Sequence, residues 1–424
     1  MNTTQLSLQQ TPSLHIPLRF FLTAPLFAIL AMVLLFLKGE TLFSNRWSMD
    51  FLAFTHLFTI GVMLQIMSGA LLQLLPVLFG VILTRVTLWS SLIHGSLTLG
   101  TFLLAIGWVL DLKIALQISW LFLLLGGFTL ISIVTLSLFK SPNQNPILTS
   151  VRLAVIALFI TIGLGLLLLV LFAWNITIYN PIFLTHLHLN WGLLGWTLLL
   201  VVGIAYQVVP MFQITPPYSN SFSRRFSPFL FGILVFYTLG IPLELVLVLL
   251  VISFAIITLH IQHKRLRKLP DMTLNFWRVA MIGLIISALF YLTGFVWAFP
   301  QREILQGILF VGGFILPVIQ GMLYKIVPFL VWLHLTNLQT DFAQKVKIPN
   351  MKQIIIDKWQ RWHFWLYFSA YIMTVITVVS PHEYFSFLAA FLGMIAFGLL
   401  EYNLLKATQI YLTFRQRILS TVRP

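Results

Sequence analysis

Cysteine is absent from the 424 residues, and acid is scarce: ten Asp and Glu stand against 25 Lys and Arg, and charged residues make up only 8% of the chain. Without cysteine there are no disulfides, thiolate zinc sites, iron–sulfur clusters, thioether-attached haem or Cys nucleophile. So low a charge content, against roughly 25% in an average soluble domain, excludes a soluble globular protein and a disordered chain. Catalytic signatures are missing too: no GxxxxGK[ST], GxGxxG after a strand, HExxH or GxSxG occurs. What is present is apolar. Hydrophobic residues make up 59% and aromatics 15%, with a mean hydropathy of +0.99. The formal charge of +15 has two common sources, a nucleic-acid surface or the basic inner loops of a membrane protein, and its distribution decides between them.

A helix needs about 20 apolar residues to cross a bilayer. Twelve such stretches are expected, at 17–38, 50–79, 86–109, 114–138, 153–173, 181–210, 227–241, 243–262, 274–298, 303–333, 362–380 and 384–412. The split of 227–262 rests on Pro242 and Glu244, which mark a short outer turn. With both termini inside, 20 of the 25 Lys and Arg fall in inner segments, four in outer loops (Lys38, Arg46, Lys113, Arg302), and Lys325 within a span. This asymmetry predicts cytoplasmic N- and C-termini and makes the charge a topology signal, so no nucleic-acid partner is expected. The first 16 residues hold no Lys or Arg and no small-residue cleavage site follows, so the first helix reads as a retained anchor. The polar stretch 334–361 is a cytoplasmic loop without a catalytic motif. The expectation is an all-α integral membrane protein of about 12 transmembrane helices, one polytopic domain over 1–424 in a lipid bilayer.

An internal repeat organises it. GALLQLLPVL starts at Gly69, GIAYQVVPMF at Gly203 and GMLYKIVPFL at Gly321, intervals of 134 and 118 residues. Each places a long polar residue four positions later (Gln73, Gln207, Lys325) and Pro seven later (Pro76, Pro210, Pro328). Tyr206 and Tyr324 precede the second and third polar residues. The matches sit near the inner ends of the second, sixth and tenth spans, which predicts three pseudo-repeats of four helices over 17–138, 153–262 and 274–412. Gly and Pro at such positions serve close packing and bends; the recurrence at equal depth carries the information.

Polar residues at membrane depth are functional candidates by default. His56, His186 and His188 lie towards the outer ends of the second and sixth spans, at similar depth. His94 sits deeper on the third, and the other six histidines fall at span ends or in loops. Neutral imidazole ligates metals and haem iron; inter-helix hydrogen bonding and proton or substrate handling are the competing roles. His186 and His188 are separated by roughly 200° around a helix and cannot both hold one mononuclear metal. Lys325 and Glu401 are expected to form an intramembrane ion pair. Trp191 and Trp196 flank Gly192 and Gly195, which suits either a flat-ring slot or helix packing.

These residues carry a resemblance. Three four-helix repeats with histidines on the second and sixth helices, the opening IPLRFFLTAPLFAILAM, THLFTIGVMLQIMSGALLQLLP on the second helix and THLHLNWGLLGW on the sixth are similar to the haem-copper oxidase subunit I superfamily, in particular to its short NnrS-like relatives. The resemblance implies His56 as an axial ligand of a b-type haem, His186 or His188 as a haem or copper ligand, a bacterial inner (cytoplasmic) membrane, and a link to respiration or nitric oxide stress. The sequence departs from the family where its chemistry sits. The seventh span has no histidine, and the tenth has none before His334. Counting back from the repeat glycine puts Ile308 opposite His56 and Gln306 opposite His188. Oxygen reduction is therefore not expected, no catalytic residue is assigned, and an auxiliary protein holding haem b, with copper as a further candidate, is. Its rivals are a small-molecule transporter or permease, for which Gly312-Gly313 and Pro317 mark the best helix break, and an accessory or assembly subunit of a respiratory-chain or other membrane partner without a cofactor.

Overall fold

A computed structural model of the chain describes residues 11–81, 84–141, 145–266, 268–295, 299–341 and 346–420. Arg267, Lys345 and Arg423, counted above among the inner charges, and the end of the span expected at 274–298 lie outside the described residues. Among the described residues there is no strand. The long helices are α1 (His15–Lys38), α2 (Met49–Phe79), α3 (Val86–Val109), α4 (Lys113–Phe139), α5 (Pro146–Ala173), α6 (Pro181–Gln213), α7 (Asn220–Thr238), α8 (Glu244–His263), α9 (Met272–Thr293), α10 (Arg302–Thr340), α11 (Asp357–Val379) and α12 (Glu383–Ser420).

Eleven of these are long and apolar enough to cross a membrane, so the chain is an all-α integral membrane protein. The exception is α7, which covers the span expected at 227–241 but opens with NSFSRRF. The expected break at Pro242 is observed: α7 ends at Thr238, Gly240 turns the chain at φ 78°, and α8 begins at Glu244. The polar stretch after residue 334 is partly helical, since α10 runs to Thr340 and a single capped turn covers Met351–Ile354.

Helix starts follow local chemistry. Asn145 and Asn180 each precede a proline at the first helical position and accept the amide of the third helical residue, Leu148 or Phe183. Ser48 caps α2 by accepting from the Phe51 amide, and Asp271 caps α9 by accepting from the Thr273 amide. Around the outside, large apolar side chains such as Leu37, Phe139, Leu249, Leu289, Trp365 and Phe391 are exposed. A continuous apolar belt of this kind is covered by lipid.

The interior is built by glycine contacts that recur at one register. A Cβ on Gly69 would stand 2.8 Å from Phe20 of α1, one on Gly203 2.5 Å from Ser150 of α5, and one on Gly321 2.8 Å from Phe276 of α9. Eight residues earlier, Gly61 meets Phe27, Gly195 meets Ala157, and Gly313 backs onto Gly283. Each of these partners lies seven residues after the first. Three helix pairs, α1/α2, α5/α6 and α9/α10, are thus pressed together through the same positions. Between pairs, α4 packs on α5, α8 on α9, and α12 returns to α1, so the helices close into a ring. Of the eleven apolar helices α2, α6 and α10 are the most buried and stand at its centre.

All three central helices contain a π-turn: Thr59–Leu64, Trp191–Leu198 and Val311–Ile315. Each ends five or six residues before its repeat glycine and contains the earlier glycine, Gly61, Gly195 or Gly313. Of the residues considered above for a helix break, Gly312 and Gly313 lie in this π-turn and Pro317 follows it, within a continuous α10.

One pairing departs from this regularity. The third and fourth helices pack along their length in α3/α4 and α11/α12, whereas α7 and α8 touch at few positions.

The glycine contacts make a direct prediction. Gly203→Ala drives a methyl into Ser150 and lowers stability by about 1–3 kcal/mol. Gly163→Ala, where nothing lies within 4 Å, is neutral or slightly stabilising. Thermal unfolding of the purified variants in detergent measures both.

Candidate functional site

A cavity of about 710 Å³ opens in the middle of the bundle, lined by residues of all twelve helices. His56 and His188 both line it. Their rings are 6.2 Å apart, centroid to centroid, with planes only 15° from parallel. His56 lies three residues before the π-turn of α2 and folds back on its own helix, its Nδ1 2.8 Å from the Leu52 carbonyl. The Nδ1 of His188 stands 3.0 Å from the Thr161 carbonyl of α5. A carbonyl only accepts, so in both rings Nδ1 carries the proton and Nε2 keeps its lone pair. This is the arrangement that fixes the tautomer of metal-ligating histidines. The side chains around the pair shape it further. Gly165 admits the His188 ring, since a Cβ there would lie 2.8 Å from its Cε1. Trp108 packs on His56 with centroids 4.9 Å apart.

His186, two residues along, faces elsewhere, as the helix rotation requires. Its Nε2 accepts from Arg46 Nη2 at 3.0 Å, and Arg46 Nε is 2.8 Å from Glu303. The guanidinium also lies over the Trp47 ring at 4.3 Å. Burial lowers the Arg46 pKa from its usual value, and Glu303 opposes that shift. The structure therefore brings together His56 and His188, the more distant pair in sequence, and assigns His186 to a charged cluster at the rim of the cavity.

The expected Lys325–Glu401 ion pair is not formed. Lys325 Nζ instead lies 2.7 Å from Asp271. Gly321, one turn before Lys325, lets α10 close onto α9, whose N-terminus Asp271 caps, and this contact brings the two charges together. Asp271 reads as a loop residue from the sequence, so its reach into the bundle was not visible there. Glu401 Oε2 is buried with no hydrogen-bond partner.

Two further histidines hold helices together. His94 Nε2 is 2.8 Å from Thr23 Oγ1. His363, expected at a span end, is fully buried. Its Nδ1 meets the Tyr324 hydroxyl at 2.8 Å, and Asn403 Nδ2 donates to the same oxygen at 3.2 Å. The recurrence of tyrosine at 206 and 324 was the one sequence signal pointing to this cluster. The flanking tryptophans are packing residues in part. Trp191 donates to Thr238 at 3.0 Å and Gly195 receives Ala157, while Gly192 and Trp196 line the cavity.

Among the described residues no group of three His, Cys, Asp or Glu is placed to hold a metal by protein ligands alone. No family model and no curated protein matches the sequence.

Removing one partner of the observed ion pair separates it from the expected one. Lys325→Met leaves Asp271 uncompensated in a partly buried position and costs about 1–2 kcal/mol, between the values for exposed and buried pairs. Glu401→Gln leaves stability unchanged or raises it. Unfolding midpoints of the two variants test the assignment.

Proposed function

We propose that the chain is a haem b-binding membrane protein whose axial ligands are His56 and His188. One observation carries the reading: two near-parallel imidazoles, each with Nδ1 bound to a backbone carbonyl, present two free Nε2 atoms at one cavity. A metal held by two ring nitrogens at about 2.0–2.1 Å each separates ring centroids by roughly 6 Å, which the observed 6.2 Å matches. The volume of about 710 Å³ falls in the range of about 300–1,000 Å³ typical of ligand sites. Walls of Leu97, Leu104, Leu123, Leu169 and Phe172 suit an apolar macrocycle, and Arg46 and Arg302 at the rim suit its carboxylates. Haem brings four nitrogens of its own, so two protein imidazoles complete the iron; the same pair is an incomplete site for copper.

Bound haem supplies one-electron exchange at its iron. The chain's residues define what surrounds it. Leu52 and Thr161 hold the imidazole protons on Nδ1. Trp108 and Gly165 fix the ring planes. A haem held by His56 and His188 would be suited to electron transfer or storage and not to oxygen chemistry, in keeping with the absence of histidine from α7 and from α10 before His334.

The reading extends to the whole chain. The recurrent glycine contacts support three four-helix units with α7 as a twelfth span. The distribution of basic residues supports cytoplasmic termini, and the bacterial inner membrane rests on the resemblance alone. The resemblance to NnrS-like members of the haem-copper oxidase superfamily supports a respiratory or nitric-oxide-related role. This chain differs from the oxidases in joining its second and sixth helices through the site.

The test is spectroscopic. Protein purified in mild detergent after haem-sufficient expression shows a Soret band and a reduced-minus-oxidised α band. His56→Ala, His188→Ala and Gly165→Val each abolish the six-coordinate spectrum, and His186→Ala retains it. A colourless protein, or a spectrum unaffected by His56→Ala and His188→Ala, overturns the reading. Copper without haem by elemental analysis replaces it with a copper site.

A further inference from the structure

Away from the cavity, α7 is the helix that fits the bundle least. Its depth is fixed by Ser227, whose hydroxyl lies 2.6 Å from that of Ser150, one turn from the start of α5 at Pro146. Leu234, seven residues on, reaches Gly195 beside Ala157, which is seven residues after Ser150. The two helices therefore run the same way. Arg224 and Arg225, within one turn before Ser227, sit level with the start of α5. Since α5 is a span, its start marks the polar boundary of the bilayer.

Both arginines are exposed, and both line one surface groove. Neither makes an ion pair or hydrogen bond among the described residues. Arg19 and Arg152, at the same end of the bundle, give theirs to Ser91 and to the Leu138 carbonyl.

From the arginines the groove continues past Pro228 and Phe229 of α7 to Leu250 and Ser253 of α8. Its floor is aromatic. Phe222 and Phe226 line it, with Tyr218 and Phe254 packed against them in a cluster of four rings. These rings act as a spacer between α7 and α8, which touch at few positions, whereas α3/α4 and α11/α12 close along their length. One surface feature thus carries two free cations at the bilayer boundary and an apolar extension at acyl-chain depth.

We propose that this groove holds one anionic phospholipid, its phosphate at Arg224 and Arg225 and an acyl chain along Phe229, Leu250 and Ser253. A guanidinium forks onto the two free oxygens of a phosphodiester. Two unpaired cations favour a head of net negative charge; a choline head sets its own ammonium beside them. A free phosphate leaves the apolar part of the groove unfilled, whereas an acyl chain occupies the space that α7 and α8 leave. The lipid also gives α7, too polar to count as a span by composition, apolar surface to pack on.

The groove shares no residue with the haem ligands, so its test is independent of them. Native mass spectrometry of the delipidated full chain in mild detergent, titrated with dioleoyl phosphatidylglycerol, shows one lipid adduct that saturates before any other. Dioleoyl phosphatidylcholine fills that site about tenfold more weakly, or worse. Arg224→Gln combined with Arg225→Gln lowers phosphatidylglycerol affinity by about tenfold or more, and Ser253→Phe, which fills the groove beyond the head, weakens it to a similar degree. Lys406→Gln combined with Arg415→Gln, which removes the same charge from α12, leaves it unchanged. Glycerophosphoglycerol, the head without its chains, does not displace the lipid at equal concentration. Equal affinity of the native protein for the two lipids overturns the proposal, a result that depends on no variant folding. Full affinity in the arginine pair or in Ser253→Phe overturns it as well. So does an equal loss in the α12 pair, which makes the effect one of net charge, or displacement by the free head, which makes the groove a phosphate site.

Discussion

Helices in lipid gain little from hydrophobic burial against one another, because the surrounding acyl chains are as apolar as leucine. Their association depends on how closely backbones approach, and in this protein that approach is set at Gly69, Gly203 and Gly321. Each removes a side chain where a neighbouring helix already stands within van der Waals distance. Everything central follows from those three contacts. They draw α2, α6 and α10 inward, hold α1, α5 and α9 against them, and leave the remaining helices to face the bilayer. The cavity is what remains between the N-terminal halves of the three central helices, away from the level at which Gly69, Gly203 and Gly321 have closed the bundle.

The polar interior is correspondingly sparse. Gln213 and Gln262 bond to each other at 2.9 Å, Ser150 meets Ser227 at 2.6 Å, and Tyr218 meets Thr258 at 2.9 Å. These links join helices that the glycines do not, and in a medium without water each one also removes the cost of two unpartnered groups. Other buried polar atoms go without a partner, among them both amide atoms of Gln73, Gln306 Oε1, Arg302 Nε and Glu401 Oε2.

Much of this was legible in the sequence, and the reasons differ by residue. Span positions follow from hydropathy, and the glycine-polar-proline repeat marked the helices that occupy the centre. The shared depth of His56 and His188 was readable from span boundaries alone. Their convergence was not, because it depends on the rotation of α2 against α6, which the π-turns alter and no periodicity reports. His186 looked equivalent to His188 until Arg46 was brought beside it from a loop 140 residues away. The Lys325 partner was misassigned because Asp271 sits at a helix start, where sequence reads only a cap. His363 was placed at an interface because α11 begins earlier than its apolar run, at Asp357. The loose pairing of α7 and α8 has a faint trace in sequence, the polar opening of α7.

The π-turns give the central helices a property that a regular helix lacks. One inserted residue rotates everything beyond it by about 100° relative to what precedes it. The C-terminal half of each helix is thereby locked in register with its neighbours, while the N-terminal half is free to present a different stripe of side chains to the middle of the ring. A scaffold divided in this manner separates inheritance from invention. The glycine-bearing halves keep a common pattern in α2, α6 and α10, while the N-terminal halves carry imidazole at His56 and His188, carboxamide at Gln306 and hydrocarbon at Ile308.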